Sequence, residues 1–229
     1  MKSKLLLFDI DGTLISARGI PRKAMKRVLQ KRYDNFSYDG EFNFSGRTDW
    51  EIVEHLLSYD RRTVSQREVA QILKDFAHEL QHEFQDGIKP LIHPGVENLL
   101  SKLNETENVH LGLVTGNISR GAMVKLSAAG LHDYFPIGGF GDDAKVRREL
   151  PRFAIERATA YYDLTFDNKN IWIIGDSIFD IDCAKVNNLR SLAVCTGWTP
   201  REELQKHQPE FLEDDLSDIY KIMNIFLEC

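Results

Sequence analysis

Cysteine is scarce, with Cys183, Cys195 and Cys229 the three in 229 residues. An odd count without metal-ligand spacing gives no basis for a disulfide framework or a thiolate metal site and suits a reducing compartment. Long hydrophobic runs are missing as well. The one apolar stretch near the N-terminus, over 5–10, ends in acids, so it is neither a signal peptide nor a membrane span, and a cytoplasmic protein is expected. Excess positive charge is also absent: the net charge of −6 argues against nucleic acid or an anionic membrane as the main partner. No internal repeat or low-complexity tract is visible, and oligomeric state is not written in the sequence. What remains is ordinary globular material, 42% hydrophobic and 28% charged, long enough for one substantial core or a core plus a smaller domain.

The chain is organised around Lys4-Leu5-Leu6-Leu7-Phe8-Asp9-Ile10-Asp11-Gly12-Thr13-Leu14. The apolar run reads as a short strand buried on both faces, as in a parallel sheet. Asp9 and Asp11 stand two apart at its end, on the same side of an extended chain, and Gly12 lets the backbone turn after them. Two carboxylates about 4 Å apart repel by roughly 4 kcal/mol at an intermediate dielectric. They must be solvated, protonated or bridged, and a hard ion such as Mg²⁺ is the natural bridge. The plain alternative is a strand leaving through an Asp-Gly turn.

Beyond Thr13 the pattern changes. Helices are expected from Pro21 to Lys31, from Thr48 to about Tyr59 behind the capping box Thr48-Asp49-Trp50-Glu51, and from about Ser65. In the last, Val69, Ile72, Leu73, Phe76, Leu80 and Phe84 form one apolar stripe. From about Lys89, helices and strands alternate, which implies a parallel sheet. Strands are expected over 109–114, 137–140, 170–174 and 191–195, and helices over 94–103, 119–129, 150–162 and 180–187. The reading is an α/β core of residues 1–15 and 89–229, with 16–88 inserted as a helical unit.

Later strand ends carry further polar signals. Thr115-Gly116-Asn117 follows the strand ending at Val114, and Gly175-Asp176-Ser177-Ile178-Phe179-Asp180 follows the strand ending at Ile174. Loops at the C-terminal ends of parallel strands share one crevice, so Asp176 and Asp180 can approach Asp9 and Asp11. Ser177 with Asp180 is also a plausible capping box.

Asp9-Ile10-Asp11-Gly12-Thr13-Leu14 resembles the first motif of the haloacid dehalogenase (HAD) superfamily of phosphotransferases. The segments at Thr115 and at Asp176 resemble its second and fourth motifs, and the helical insertion resembles a type 1 cap of the phosphoglycolate phosphatase and β-phosphoglucomutase branch. The resemblance implies a Rossmann-like parallel sheet with a helical cap and Mg²⁺-dependent hydrolysis of a small phosphorylated metabolite. It implies Asp9 as nucleophile and Asp11 as general acid and base. It implies Thr115, Gly116 and Asn117 holding the phosphoryl group, and Mg²⁺ held by Asp9, the Asp11 backbone carbonyl and Asp176 with Asp180 in support. The third motif departs from the family pattern, because no Lys-Pro pair occurs. Counting back from Phe153 puts Arg147 at its basic position, with Lys145 as runner-up. Gly46-Arg47-Thr48-Asp49 resembles a cap loop facing the active site and makes Arg47 a substrate candidate.

Asp11 argues against dehalogenation, because dehalogenases lack the second acid. A phosphomutase shares every core motif and stands as the alternative, and a phosphate-binding module without turnover is disfavoured by the two intact acids. A different class is raised by His78-Glu79-Leu80-Gln81-His82, which fits the H-E-x-x-H pattern of zinc proteases. Those histidines lie roughly opposite the apolar stripe, and Gln85 stands where the extended pattern needs glycine, so a chance match on a water-facing surface is expected.

Overall fold

The computed structural model describes residues 2–38, 42–85 and 87–228; Cys229 lies outside them. Strand β1 (Lys4–Phe8) forms as its sequence dictates. Leu5, Leu6, Leu7 and Phe8 are all fully buried, worth about 1.5–3 kcal/mol per side chain. Period-two alternation sends Leu6 and Phe8 into one core cluster and Leu5 and Leu7 into another on the opposite face.

The insertion follows at once. The two-residue strands β2 (Ile15–Ser16) and, on the return, β3 (Leu91–Ile92) pair antiparallel and bracket α1 (Ile20–Arg32), α2 (Asp49–Tyr59) and α3 (Gln66–Gln85). Pro21 sits in the first turn of α1, and both halves of the Thr48/Glu51 capping box are formed. The stripe from Val69 to Phe84 is buried in a helical core of its own, shared with Val28, Leu29, Val53 and Leu57. Among the described residues no helix is long and apolar enough to cross a membrane.

The chain then alternates through α4 (Val96–Asn104), β4 (Val109–Val114), α5 (Ser119–Ala129), β5 (Gly138–Gly139), α6 (Leu150–Tyr162), β6 (Ile171–Gly175), α7 (Ile178–Val186) and β7 (Arg190–Val194). It continues past the expected end with α8 (Arg201–Lys206), β8 (Phe211–Glu213) and α9 (Ile219–Glu228). The sheet is parallel throughout, in the order β5-β4-β1-β6-β7-β8. Side chains of α4, α5 and α9 cover one face and those of α6 and α7 the other. Because β1 lies between β4 and β6, the strand order reverses there, and the connections leaving these strands open a crevice at their C-terminal ends.

Candidate active site

Three strand ends and one helix start meet in that crevice. Asp9 follows β1, Thr115 follows β4, and Asp176 follows β6; all three are buried. Asp180 comes from the first turn of α7, where its Oδ2 accepts from the Ser177 N–H (3.1 Å) and Oγ (2.6 Å). The helix cap read as an alternative is therefore real. It occupies one Asp180 oxygen only, for Oδ1 accepts from Arg147.

Arg147 enters from the turn before α6. Its side chain is 5% exposed, and its Nη2 lies 2.9 Å from Asp9 Oδ1 while also bonding Asp180. Burial works against its charge, but Asp180 and Asp9 hold the guanidinium's pKa above its ordinary value. Lys145, two residues earlier, is not in the site. It pairs with Glu54 at 2.6 Å, partly exposed, with Trp50 beside it.

The acids are crowded. Burial, reinforced by Asp180 and Asp11 and opposed by Arg147, pushes the Asp9 carboxyl up to about 6. Burial, Asp9 and Asp180 raise Asp176 well above the carboxylate range. Asp9, Asp176 and Asp180 each offer an oxygen, all within 4.8 Å of one another. Asp176 Oδ1 accepts from Thr13 Oγ1 at 3.1 Å. Its Oδ2 is buried without a hydrogen-bond partner among the described residues. A Cβ on Gly12 or Gly197 would come within 2.5 or 1.6 Å of that orphaned oxygen, and Gly12 has φ of +91°. A set of hard oxygens around an unsatisfied carboxylate, with glycine clearing the approach, fits Mg²⁺. Asp11 contributes no side-chain oxygen to this triad.

Instead, Asp11 faces the loop after β4. Its Oδ2 accepts from Asn117 Nδ2 (2.8 Å) and Lys125 Nζ (2.5 Å). The Asn117 N–H and Nδ2 donate to Thr115 Oγ1, which leaves the threonine's own hydrogen available to a ligand. Gly116 serves the insertion: its carbonyl accepts from the Asp49 N–H at 2.8 Å, and a Cβ there would sit 2.0 Å from the Arg47 carbonyl. Asp49 Oδ2 in turn accepts from the Ile118 N–H at 2.8 Å, and Thr48 Oγ1 donates to the Lys145 carbonyl at 2.8 Å. The loop before α2 is thus pinned against the core loops, which brings Arg47 to the cavity.

That cavity, about 870 Å³, is lined by Asp9, Asp11, Thr115, Gly116, Asn117 and Arg147 below and by Arg18, Arg22, Phe42, Phe44 and Arg47 from the insertion. Phe42 and Phe44 pack against the insertion's own core and also face the cavity. His78 and His82 are exposed on α3, where Glu79 pairs with Lys31 and Arg27. No metal-binding group forms around them among the described residues.

Lys125 was not singled out from the sequence. Its signal was present: it follows buried Ala122 by three and precedes buried Leu126 on α5, a lysine on an apolar stripe. Arg18 and Arg22 carry no comparable signal, because charged residues on a helix start are usually solvated.

Known proteins are similar to this chain in sequence and in fold. The chain is 28% identical over 225 residues to a phosphoglycolate phosphatase of Psychrobacter arcticus, covering 95% of this chain and 94% of that one. It is 26% identical over 226 residues to the pyrophosphatase PpaX of Listeria innocua, covering 97% of each. In fold it is similar to β-phosphoglucomutase from Clostridium difficile, with a TM-score of 0.77, 21% identity and coverage of 100% of this chain and 98% of that one. The family model for haloacid dehalogenase-like hydrolases matches residues 6–194. Over residues 6–194 the chain therefore belongs to the haloacid dehalogenase-like hydrolases, and it carries a helical insertion after the first strand.

Proposed function

We propose that the chain is a Mg²⁺-dependent phosphatase that hydrolyses a small phosphorylated metabolite through an aspartyl-phosphate on Asp9, with residues 16–88 as a cap over a core of 1–15 and 89–229. The observation that carries this reading is the buried Asp9 carboxylate, held by Arg147 at 2.9 Å at the sheet's switch point, beside the unsatisfied oxygen of Asp176.

In the first step a carboxylate oxygen of Asp9 attacks phosphorus. The bond from phosphorus to the leaving oxygen breaks, and Asp11 gives that oxygen its proton. In the second step water attacks the phosphorus of the aspartyl-phosphate and Asp11 takes the water's proton. The P–O bond to Asp9 breaks, releasing phosphate and restoring both acids. The Thr115 hydroxyl donates to a phosphoryl oxygen without adding charge, Asn117, whose donors are engaged by Thr115 and Asp11, orients both, and Arg147 balances the charge on Asp9 and its phosphoryl group. Mg²⁺, when bound, neutralises phosphoryl charge and orients the group; Asp9, the Asp11 carbonyl and Asp176 would hold it, supported by Asp180.

The cap wall supports a leaving group that is itself anionic. Arg18, Arg22 and Arg47 line the cavity, and among the described residues no carboxylate pairs with any of them. Arg47 is instead stacked between Phe42 and Phe179, 4.7 and 5.1 Å from its guanidinium carbon, with its Nε buried and unbonded. Stacking holds the guanidinium flat and leaves its donors for a carboxylate or a second phosphate. The names of the relatives, phosphoglycolate phosphatase and pyrophosphatase, describe substrates of that kind. A cytoplasmic setting suits Cys183 and Cys195, which are both free.

The test is a screen of purified protein against phosphorylated metabolites with Mg²⁺, repeated in EDTA and with the double variant His78→Ala/His82→Ala. Phosphate release that EDTA abolishes, Mg²⁺ restores and the double variant retains is the expected result. An isomerised sugar phosphate would identify a mutase instead, and zinc-dependent peptide cleavage lost in the double variant would overturn the reading.

A further inference from the structure

We infer that Lys125 is a positioning residue for Asp11: with Asn117 it pins Asp11 Oδ2 and leaves Oδ1 as the oxygen that exchanges a proton with the leaving group. The inference rests on the proposed role of Asp11 as general acid.

Lys125 is 2% exposed on a helix face otherwise made of Gly121, Ala122 and Leu126. A buried ammonium is expensive unless it is paired, and a Met or Leu would fill the same volume without that cost. Its partners all belong to the site. Nζ donates to Asp11 Oδ2 at 2.5 Å and to Asn117 Oδ1, while the buried carboxylate of Asp49, delivered by the cap, interacts with the same charge. The Asn117 amide is thereby oriented: Oδ1 faces Lys125, and Nδ2 is turned toward Asp11 Oδ2 and Thr115 Oγ1. Two donors converge on one oxygen of Asp11 and neither engages the other. An oxygen accepting both bonds is the wrong place for the acid's proton, which is therefore carried by Oδ1. Because Asp11 is only half-buried, its side chain would otherwise be free to rotate among orientations. Holding it is a matter of geometry, and misplacement by an ångström can cost a hundredfold in rate.

A role exercised through the general acid predicts a dependence on the leaving group that lost packing does not. An alkyl oxygen must be protonated as it departs, whereas 4-nitrophenolate leaves readily as an anion. The experiment compares kcat/KM, which reports the P–O cleavage step, for 4-nitrophenyl phosphate and for the alkyl phosphate that the wild type hydrolyses best. The enzymes are wild type, Asp11→Asn and Lys125→Met, and thermal melting is followed in parallel. Asp11→Asn is expected to lose about 100-fold or more on the alkyl substrate and far less on the aryl one. Lys125→Met should show the same bias, its loss on the alkyl substrate exceeding that on the aryl one by about tenfold or more. If the single change does not fold, the charge-balanced Lys125→Met/Asp49→Asn carries the same comparison. Equal losses on both substrates, beside a selective Asp11→Asn, would overturn the inference alone. An unselective Asp11→Asn would remove Asp11 as the acid and take the inference with it.

Discussion

The floor of the cavity and its cap wall differ in how their charges are answered. On the floor, Arg147 is bound by Asp9 and Asp180, Lys125 by Asp11 and Asn117, and Asp180 by Arg147 and Ser177. On the wall, Arg18, Arg22 and Arg47 face the same space and none of them pairs with a carboxylate among the described residues; Asp49, the insertion's acid in the lining, accepts instead from the Ile118 N–H. Elsewhere on the surface, arginines such as Arg27, Arg157 and Arg201 do find acids, so an acidic protein has carboxylates available and pairs none with these three. The floor is a paired network at strand ends with one Asp176 oxygen left open, suited to one fixed reaction. The wall is an open set of donors on a helix start and a loop, suited to selecting which phosphate compound reacts.

Removing floor residues should therefore destroy turnover for every substrate. Asp9→Asn is expected to fold, since an amide of the same size fills the buried site beside Arg147, and to lose about a thousandfold or more in phosphate release. Wild-type-like turnover would end the nucleophilic mechanism. Arg147→Ala should come next. Leaving Asp9 and Asp180 without their counter-ion costs about 3–5 kcal/mol, or roughly 100-fold to several-thousand-fold if expressed in the transition state. Lys145→Ala, which loses only a partly exposed pair, should be nearly silent. Steady-state kinetics of the two variants would show the contrast, and a crippled Lys145→Ala beside a healthy Arg147→Ala would reverse it.

Changing the wall should alter recognition and spare chemistry. Arg47→Ala is expected to raise KM about 10- to 100-fold for a substrate with an anionic leaving group, with kcat little changed. An equal rise for an uncharged leaving group would show that the wall does not read charge.

At the seam between the two regions the expected effect is on stability and leaves recognition aside. Burial, partly offset by Lys125, pushes the Asp49 carboxyl from 3.8 up to about 6. A carboxyl whose folded pKa lies above its unfolded one binds its proton more tightly in the folded state. Wild type should thus lose stability relative to Asp49→Asn as pH rises from about 4 through about 6, by up to about 3 kcal/mol. Denaturant unfolding of both proteins across that range checks the sign, and a difference independent of pH would contradict it.

The same division explains what the sequence made legible. The floor acids could be read because a buried strand, a turn and a carboxylate are adjacent in the chain: Leu5 to Asp11 and Ile171 to Asp176 declare themselves locally. Arg147 was reachable only by its spacing to Phe153, because the path of a glycine-led loop is set by tertiary contacts. Lys125 shows locally only as a lysine on an apolar stripe, because the groups that answer its charge include Asn117 and Asp49, eight and seventy-six positions away. The short strands β2 and β3 have too few residues for a period, and β8 and α9 went unread although Ile222, Ile225 and Phe226 form a buried stripe. The wall arginines look like any solvated charges until the fold sets them around one cavity.

The most direct measurement is the covalent state of Asp9 during turnover. Protein mixed with its best substrate and Mg²⁺, quenched in acid within the first turnovers and digested, should yield the peptide containing Asp9 with one added phosphoryl group. The added mass should map to Asp9 and be absent from Asp9→Asn. Rapid turnover with no phosphorylated peptide at any quench time, or a phosphoryl group on another residue, would contradict the account.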